Sequence, residues 1–218
     1  MEKHSKSKPP STGFYKRLFA RYYDRLQSDY EEYISPRKRT LFDGVSGTVV
    51  EIGPGTGSNF HYLPAGCHWL GIEPNPYMHE PLSRRARAAN IEPELRTIDS
   101  GRIEVEDSIA HVVISTLVLC SVPNVERVLG EVLRVLRPGG RFLFIEHVAA
   151  APGTSLKFVQ QVLWPAWYIF GDGCCTNRDT GEYIRRAGFK FVRMEEFRAP
   201  RPPVPPWVSP HIIGEAVR

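Results

Sequence analysis

Three glycines at alternate positions, Gly53, Gly55 and Gly57, follow the apolar run Val49-Val50-Glu51-Ile52 and precede Ser58-Asn59. A hydrophobic strand that breaks into glycines and then enters a helix is a ligand-binding turn. Glycine lets the backbone reverse sharply and approach a ligand where a Cβ would collide. A nucleotide or nucleoside fits such a turn, and the spacing narrows the choice. A dinucleotide fingerprint runs G-x-G-x-x-G and aims a helix N-terminus at a pyrophosphate. Here the glycines fall as G-x-G-x-G, with the acidic Glu51 just before them. A carboxylate there repels a pyrophosphate and suits a cation. S-adenosylmethionine carries a sulfonium and an ammonium group and no phosphate, so it matches that charge.

Further candidates follow at the ends of later strands. Glu73, in Gly71-Ile72-Glu73-Pro74-Asn75, comes about 20 residues after the first glycine, the register at which an acid accepts both ribose hydroxyls in dinucleotide folds. Asp99 and Ser100 close the expected third strand, where they either recognise an adenine edge or form a plain turn. The run Ser115-Thr116-Leu117-Val118-Leu119-Cys120-Ser121-Val122 is too apolar for an ordinary loop and too short for a core helix. Ligands in open parallel sheets bind outside the carboxyl ends of the strands, which makes this run a cofactor–acceptor wall. The candidate cofactor contacts are therefore Glu51, Gly53, Gly55, Gly57, Asn59, Glu73, Asn75, Asp99, Ser100, Thr116 and Leu117.

The elements that must position these residues alternate along the chain. Strands are predicted over residues 48–52, 68–73, 94–98, 111–116, 141–148, 189–197 and 211–218. Helices are predicted over 59–63, 76–89, 125–136, 155–167 and 180–187. Short β-branched runs separated by helices describe a parallel sheet covered on both faces. Leu136-Arg137-Pro138-Gly139-Gly140 reads as a helix stop that feeds the strand at Arg141. Residues 14–33 carry aromatic and apolar side chains at helical spacing, predicting one or two amphipathic helices that end before Pro36. Residues 1–12, rich in Lys, Ser and Pro, read as a disordered lead. The prolines of 199–210 favour extended backbone, as a rigid connector or a ligand for a proline-reading module.

Composition excludes several classes. At 218 residues with 42% apolar and 24% charged, the chain has the profile of one globular catalytic domain. The net charge of +4 lies largely in the lead and in Arg84, Arg85 and Arg87. Neither group is interleaved with aromatics as a nucleic-acid groove would be, so no nucleic acid is expected as partner. Tyr22 and Tyr23 with Lys16, Arg17 and Arg21 suit peripheral contact with an anionic membrane surface. No apolar run approaches the ~20 residues of a membrane span, and no signal-peptide core is present, so a cytoplasmic location is expected. Cys67, Cys120, Cys174 and Cys175 show no metal-ligand spacing, nor do His61, His68 and His79. No metal is expected, and the thiols are expected to be reduced.

The run from Val49 to Val148 resembles the class I S-adenosylmethionine-dependent methyltransferases. It carries Glu-x-Gly-x-Gly-x-Gly, the acid Glu73, and Leu-Arg-Pro-Gly-Gly before the fifth strand. A closer resemblance, to the methyltransferase-like thiol S-methyltransferases of vertebrate membranes, rests on residues 116–122, Glu146-His147-Val148-Ala149-Ala150, Gln160-Gln161-Val162-Leu163, Pro165-Ala166-Trp167, Asp172-Gly173-Cys174 and Pro210-His211-Ile212. Those relatives begin with a hydrophobic anchor; this chain begins Met1-Glu2-Lys3-His4. Residues 20–26 instead look like the Tyr-Asp helix that opens soluble quinone and small-molecule methyltransferases. His111 stands where many class I members have Asp, a structural substitution within the strand. The fold expected is α/β and doubly wound, a seven-stranded mostly parallel sheet with an antiparallel last strand. A helical cap over 13–44 precedes the methyltransferase domain over 45–218.

The activity implied is methyl transfer to a small-molecule acceptor, a thiol first, with a quinone, phenol or lipid amine behind it. An in-line displacement asks the protein to align a nucleophile and exclude water. A thiol with a pKa near ~8.5 also gains from a nearby base or positive potential. His147 is the first candidate for that role, against a histidine that only orders the crevice. Asp172 is the second, against a turn-forming Asp. His211, at the start of the last strand, reads as a sheet cap. Trp164, Trp167, Tyr168 and Phe170 read as an acceptor lid or as core packing. Cys174 and Cys175 show no adjacent His or base in sequence and read as bystanders. Two functions of other classes stand against this one. A nicotinamide oxidoreductase is disfavoured by the glycine spacing and Glu51, and a silent nucleoside-binding module is separated by turnover.

Overall fold

β-Branched and aromatic residues crowd the short runs that become strands, and helices with one apolar stripe fill the intervals. The computed structural model describes residues 13–96, 98–99, 102–200 and 204–218. The expected disordered lead over 1–12, Ser100 and part of the proline segment (201–203) lie outside the described residues.

Helix α1 (Gly13–Leu41) leads into β1 (Thr48–Ile52), a 3-10 turn (Ser58–Tyr62) and β2 (His68–Ile72). Then come α2 (Pro76–Ala88), β3 (Pro93–Leu95), a small hairpin of β4 (Ile98–Asp99) and β5 (Arg102–Ile103), and β6 (Ala110–Thr116). The chain continues through α3 (Val125–Val135), β7 (Leu136–His147), α4 (Ser155–Phe170), α5 (Thr180–Arg186), β8 (Phe191–Arg198) and β9 (Pro210–Val217). Helix starts are chemically marked: Asn75, Asn124, Thr154 and Asp179 each accept a backbone N–H of the first turn.

The main sheet has the order β3-β2-β1-β6-β7-β9-β8. It is parallel from β3 to β7, and β9 runs antiparallel to both β7 and β8. The doubly wound, seven-stranded fold read from the sequence is therefore the fold observed. Its strand order reverses between β1 and β6, which opens a crevice beyond their carboxyl ends. Alternation along each strand feeds two cores. Val50 and Leu70 pack with α3 through Leu129 and Val132, while Val49 and Trp69 pack with α2 through Leu82 and Ala86.

Four elements depart from the expectation. The third strand expected over 94–98 is divided, so that β3 ends at Leu95 and Asp99 pairs with Arg102 in a separate hairpin. The helix expected over 59–63 is a 3-10 turn. The strand after α3 begins at Leu136, with Pro138-Gly139-Gly140 absorbed as a register shift and Gly139 at φ +75°. Finally, α1 does not stop before Pro36 but runs through it to Leu41. Pro36 faces solvent, while Ile34 and Lys38 on either side are fully buried, and that burial offsets the roughly 3 kcal/mol that an internal proline costs. His111 does act structurally: its Nδ1 accepts the Thr48 N–H at 3.1 Å, and its ring lies where a Gly47 side chain would be.

Lys38 is the unusual member of this packing. Its ammonium is fully buried and is held 2.6 Å from the partly exposed Glu31 carboxylate, with the Tyr62 ring 5.7 Å away. Removing only the carboxylate strands a buried charge, whereas removing only the lysine leaves an acid that water can reach. Glu31→Gln is therefore expected to destabilise the fold by about 3 kcal/mol and Lys38→Met by no more than about 1 kcal/mol. Urea unfolding followed by circular dichroism checks the order; equal losses would mean the pair is not the source.

Candidate active site

At the switch point the carboxyl ends of β1, β2, β6 and β7 surround a cavity of about 870 Å³, roofed by α1 and the end of α4. Gly53 and Gly55 turn the chain over its floor at φ +61° and +58°. A side chain at Gly53 would strike Val118 at 2.6 Å, and one at Gly55 would point at the Tyr23 ring of α1. Gly57 serves the scaffold instead. A side chain there would lie 2.4 Å from the Phe60 ring, so this glycine lets the 3-10 turn close.

The two acids of the motif do different work. Ile52 lines the cavity, so the preceding residue on the strand faces the other way. Glu51 is buried there, accepting Asn59 Nδ2 at 2.7 Å and Trp69 Nε1 at 3.0 Å, and burial pushes its carboxyl above the usual range. Asn59 also donates to Thr116 Oγ1 at 3.1 Å, tying the turn to the end of β6. Neither Glu51 nor Asn59 is among the residues lining the cavity; both oxygens of Glu51 are engaged within the protein, by Asn59 and Trp69.

Glu73 does face the cavity. Its two oxygens accept the Gly55 N–H at 2.9 Å and the Asn75 N–H at 2.7 Å. Burial pushes the carboxyl up against those two hydrogen bonds. Each oxygen keeps lone pairs for a further donor. Asn75 caps α2 and also lines the cavity, as do Thr116, Leu117 and Ile98. Asp99 sits in the hairpin rather than at the end of β3.

Leu117 adopts φ +58°, a left-handed conformation that costs a bulky residue energy. A carboxylate that the sequence reading passed over holds it there. Glu146, fully buried in β7, accepts Ser115 Oγ at 2.7 Å, the Val118 N–H at 3.2 Å and the Leu119 N–H at 3.1 Å. Burial, then the neighbouring Cys120 charge, pushes its carboxyl up to about 8. An acid directly after Phe142-Leu143-Phe144-Ile145 was the available signal. Arg178 completes the clamp by donating to the carbonyls of Leu119 and Val122.

Cys120, His147, Cys174, His211 and Tyr30 cluster along one part of the lining, while Asp172 lies close enough to Glu73 for its charge to raise that carboxyl. His147 Nε2 lies 2.7 Å from Cys174 Sγ, so Cys174 does have a histidine partner, one that sequence adjacency could not show. Between the sulfurs, Cys174 is held well above the usual thiol range by its hydrogen bond to Cys120 and by burial. Cys120 is held low for the complementary reason. Burial, the largest single effect, pulls His147 down, but the Cys120 charge and hydrogen bond together with the Glu146 charge leave the imidazole raised. His211, expected to be a sheet cap, lines the cavity. Burial lowers it to about 4, and its Nδ1 sits 2.9 Å from the Ser209 carbonyl. The Tyr30 hydroxyl, buried beside it, has no hydrogen-bond partner among the described residues. Of the four aromatics read as lid or core, Trp167 and Phe170 line the cavity, whereas Trp164 and Tyr168 meet edge to face, their rings 6.2 Å apart.

A mostly apolar cavity lined by the Gly53–Gly55 turn, the Glu73 carboxyl, and sulfur and imidazole groups has room for a nucleoside beside a second small molecule. Residues 50–144 match the family model described as a methyltransferase domain. The human thiol S-methyltransferase TMT1A is 40% identical over 93% of this chain and 87% of its own length. Human thiol S-methyltransferase TMT1B is 40% identical over 84% and 78%. The solved S-adenosylmethionine-dependent methyltransferase of Mesorhizobium loti superposes with a TM-score of 0.60 at 20% identity, covering 85% of this chain and 97% of that one, and shares the fold. The chain thus belongs to the class I S-adenosylmethionine-dependent methyltransferases, in the family that contains these thiol S-methyltransferases, and methylates a small molecule with S-adenosyl-L-methionine as donor.

Proposed function

We propose that the methyl acceptor is a small, largely apolar thiol, and that its sulfur sits at the Cys120–His147–Cys174 end of the cavity. The carrying observation is that this buried soft-donor group lines the same cavity as the Gly53–Gly55 turn and Glu73. Two relatives of 40% identity that bear the name thiol S-methyltransferase support the choice.

Bound S-adenosylmethionine supplies a methyl group on a positively charged sulfur. Around it, the Gly53–Gly55 backbone gives close approach, and the free lone pairs of Glu73 accept the ribose hydroxyls. The Leu117 and Val118 wall, with Trp167 and Phe170 at the mouth, excludes water from the line of transfer. His147 favours the thiolate form of the acceptor, and Asp172, at the turn after α4, borders the same space. A cytoplasmic location belongs to the same proposal. Among the described residues no helix is long and apolar enough to cross a membrane. Exposed Phe158, Val162, Ile169 and Phe170 on α4 support peripheral contact with a membrane surface.

The reading predicts transfer of labelled methyl to small alkyl thiols in preference to quinols and phenols. A product profile led by quinols or phenols would refute the thiol assignment. Glu73→Ala removes both the ribose acceptor and the anchor of Gly55, so calorimetric affinity for S-adenosylhomocysteine is expected to fall about 10- to 100-fold. Unchanged affinity would take Glu73 out of the site. Gly55→Val places a β-branched residue at φ +58° and turns it toward the ligand space. Cofactor binding is expected to vanish while the circular dichroism spectrum persists. A folded variant of normal affinity would mean the loop is not the cradle.

A further inference from the structure

We propose that Cys120, His147 and Cys174 form a zinc site whose fourth position opens into the cavity and takes the acceptor's sulfur. The inference rests on the thiol-methylation reading and specifies how the acceptor is activated.

The three donors come from separate elements: the loop after β6, the end of β7 and the turn after α4. All three residues are buried, and their ligand atoms lie within 4.8 Å of one another. A tetrahedral ion with Zn–S near 2.3 Å and Zn–N near 2.0–2.1 Å spaces its ligand atoms about 3.6 to 3.8 Å apart, so small side-chain adjustments suffice. Two thiolates and an imidazole are donors that select zinc over magnesium or calcium. The scaffold is already tied together. The Cys175 N–H donates to the Cys120 carbonyl at 2.9 Å, and Arg178 secures the loop that carries Cys120. Trp167 Nε1 lies 3.2 Å from Cys174 Sγ, an N–H donor aimed at a ligand sulfur as an outer partner should be. Three protein ligands plus one position open to a substrate cavity is the pattern of a catalytic rather than a structural zinc site.

Charge supports the same arrangement. A zinc ion with two thiolates and a neutral imidazole is net neutral, so the ion adds no repulsion toward a sulfonium. The acceptor thiolate then makes the centre anionic and attractive to it. In the step itself, the acceptor's S–H bond breaks as its sulfur binds zinc, and the proton leaves to solvent. A lone pair on that sulfur forms the new bond to the methyl carbon. The electron pair of the old sulfonium–methyl bond returns to the donor's sulfur, leaving a neutral thioether on each side. The methylated product, a weaker ligand than a thiolate, then departs. His147 acts on the acceptor through the metal rather than by taking its proton directly.

The test uses the full chain, purified with a non-thiol reductant and freed of metal. Zinc is titrated against a chromophoric chelator, and cobalt(II) is added as a spectroscopic probe. One tight equivalent of zinc and a thiolate-to-cobalt charge-transfer band are expected. Both should be lost in Cys120→Ser and Cys174→Ala and kept in Cys67→Ser, whose cysteine lies outside the cavity. S-adenosylhomocysteine binding, measured on every variant, separates loss of the metal site from loss of the fold. Removing zinc is expected to lower thiol methylation by at least about 100-fold, more than loss of an outer-shell partner does. The proposal is overturned if the reduced wild type takes up no metal, if a Cys120–Cys174 disulfide forms and reduction restores no uptake, or if the metal-free enzyme methylates thiols at the full rate. Stoichiometric zinc binding without thiol methylation would leave the metal site standing and overturn the acceptor assignment alone.

Discussion

The site depends on one buried carboxylate. Glu146 has no access to solvent, and burying a carboxyl is costly unless hydrogen-bond donors surround it. Three do: the Ser115 hydroxyl and the backbone N–H groups of Val118 and Leu119. The same bonds bend the chain after β6 so that Leu117 takes a left-handed conformation and Cys120 turns in toward the end of β7. Because strand residues alternate, Glu146 reaches beneath the loop while its neighbour His147 reaches the cavity. One pair of adjacent residues thus fixes both the loop of Leu117 and Val118 and the imidazole, all of which line the cavity.

The first half of the site answers a simpler constraint. A nucleoside needs backbone close to it and an acid at the ribose, and alternate glycines beside two acids provide both. Strand geometry then divides the labour. Glu51 falls on the covered face and binds the turn to β2 and β6 through Trp69 and Asn59, while Glu73, past the end of β2, faces the cavity. Arg85 of α2 reaches back to the Thr56 hydroxyl and carbonyl and holds the turn from outside. Two similar acids in one motif differ because one lies within a strand and the other just beyond one.

What the sequence made legible follows the same division. Periodicity marked the strands of the main sheet and most helices, because one face of each element is buried over its whole length. The glycine spacing and the register of Glu73 are local, and they pointed to Gly53, Gly55 and Glu73, which line the cavity. Features set by tertiary contact were hidden. Helix α1 crosses Pro36 because Ile34 and Lys38 are buried on its inner face. The chain beyond Leu95 leaves the sheet for a hairpin, and Glu51 turns away because Ile52 faces in. The acceptor half was hidden most of all: His147 and Cys174 touch across 27 residues of sequence, and Cys120 joins them from a third element, so no short spacing could announce the group.

That asymmetry has a chemical reason. Methyl transfer from a sulfonium is driven by the leaving group, so the half of the cavity around the cofactor needs only to bind and orient, and many sequences can carry the same local motif. The acceptor half must raise the nucleophilicity of one kind of atom in a site shielded from water. In a cavity walled by Leu117, Val118, Trp167 and Val208, a bare thiolate would be costly to bury. A group that accepts such a charge without bringing in bulk water fits this cavity, and among the described residues the thiols lining it are Cys120 and Cys174, with the His147 imidazole beside them.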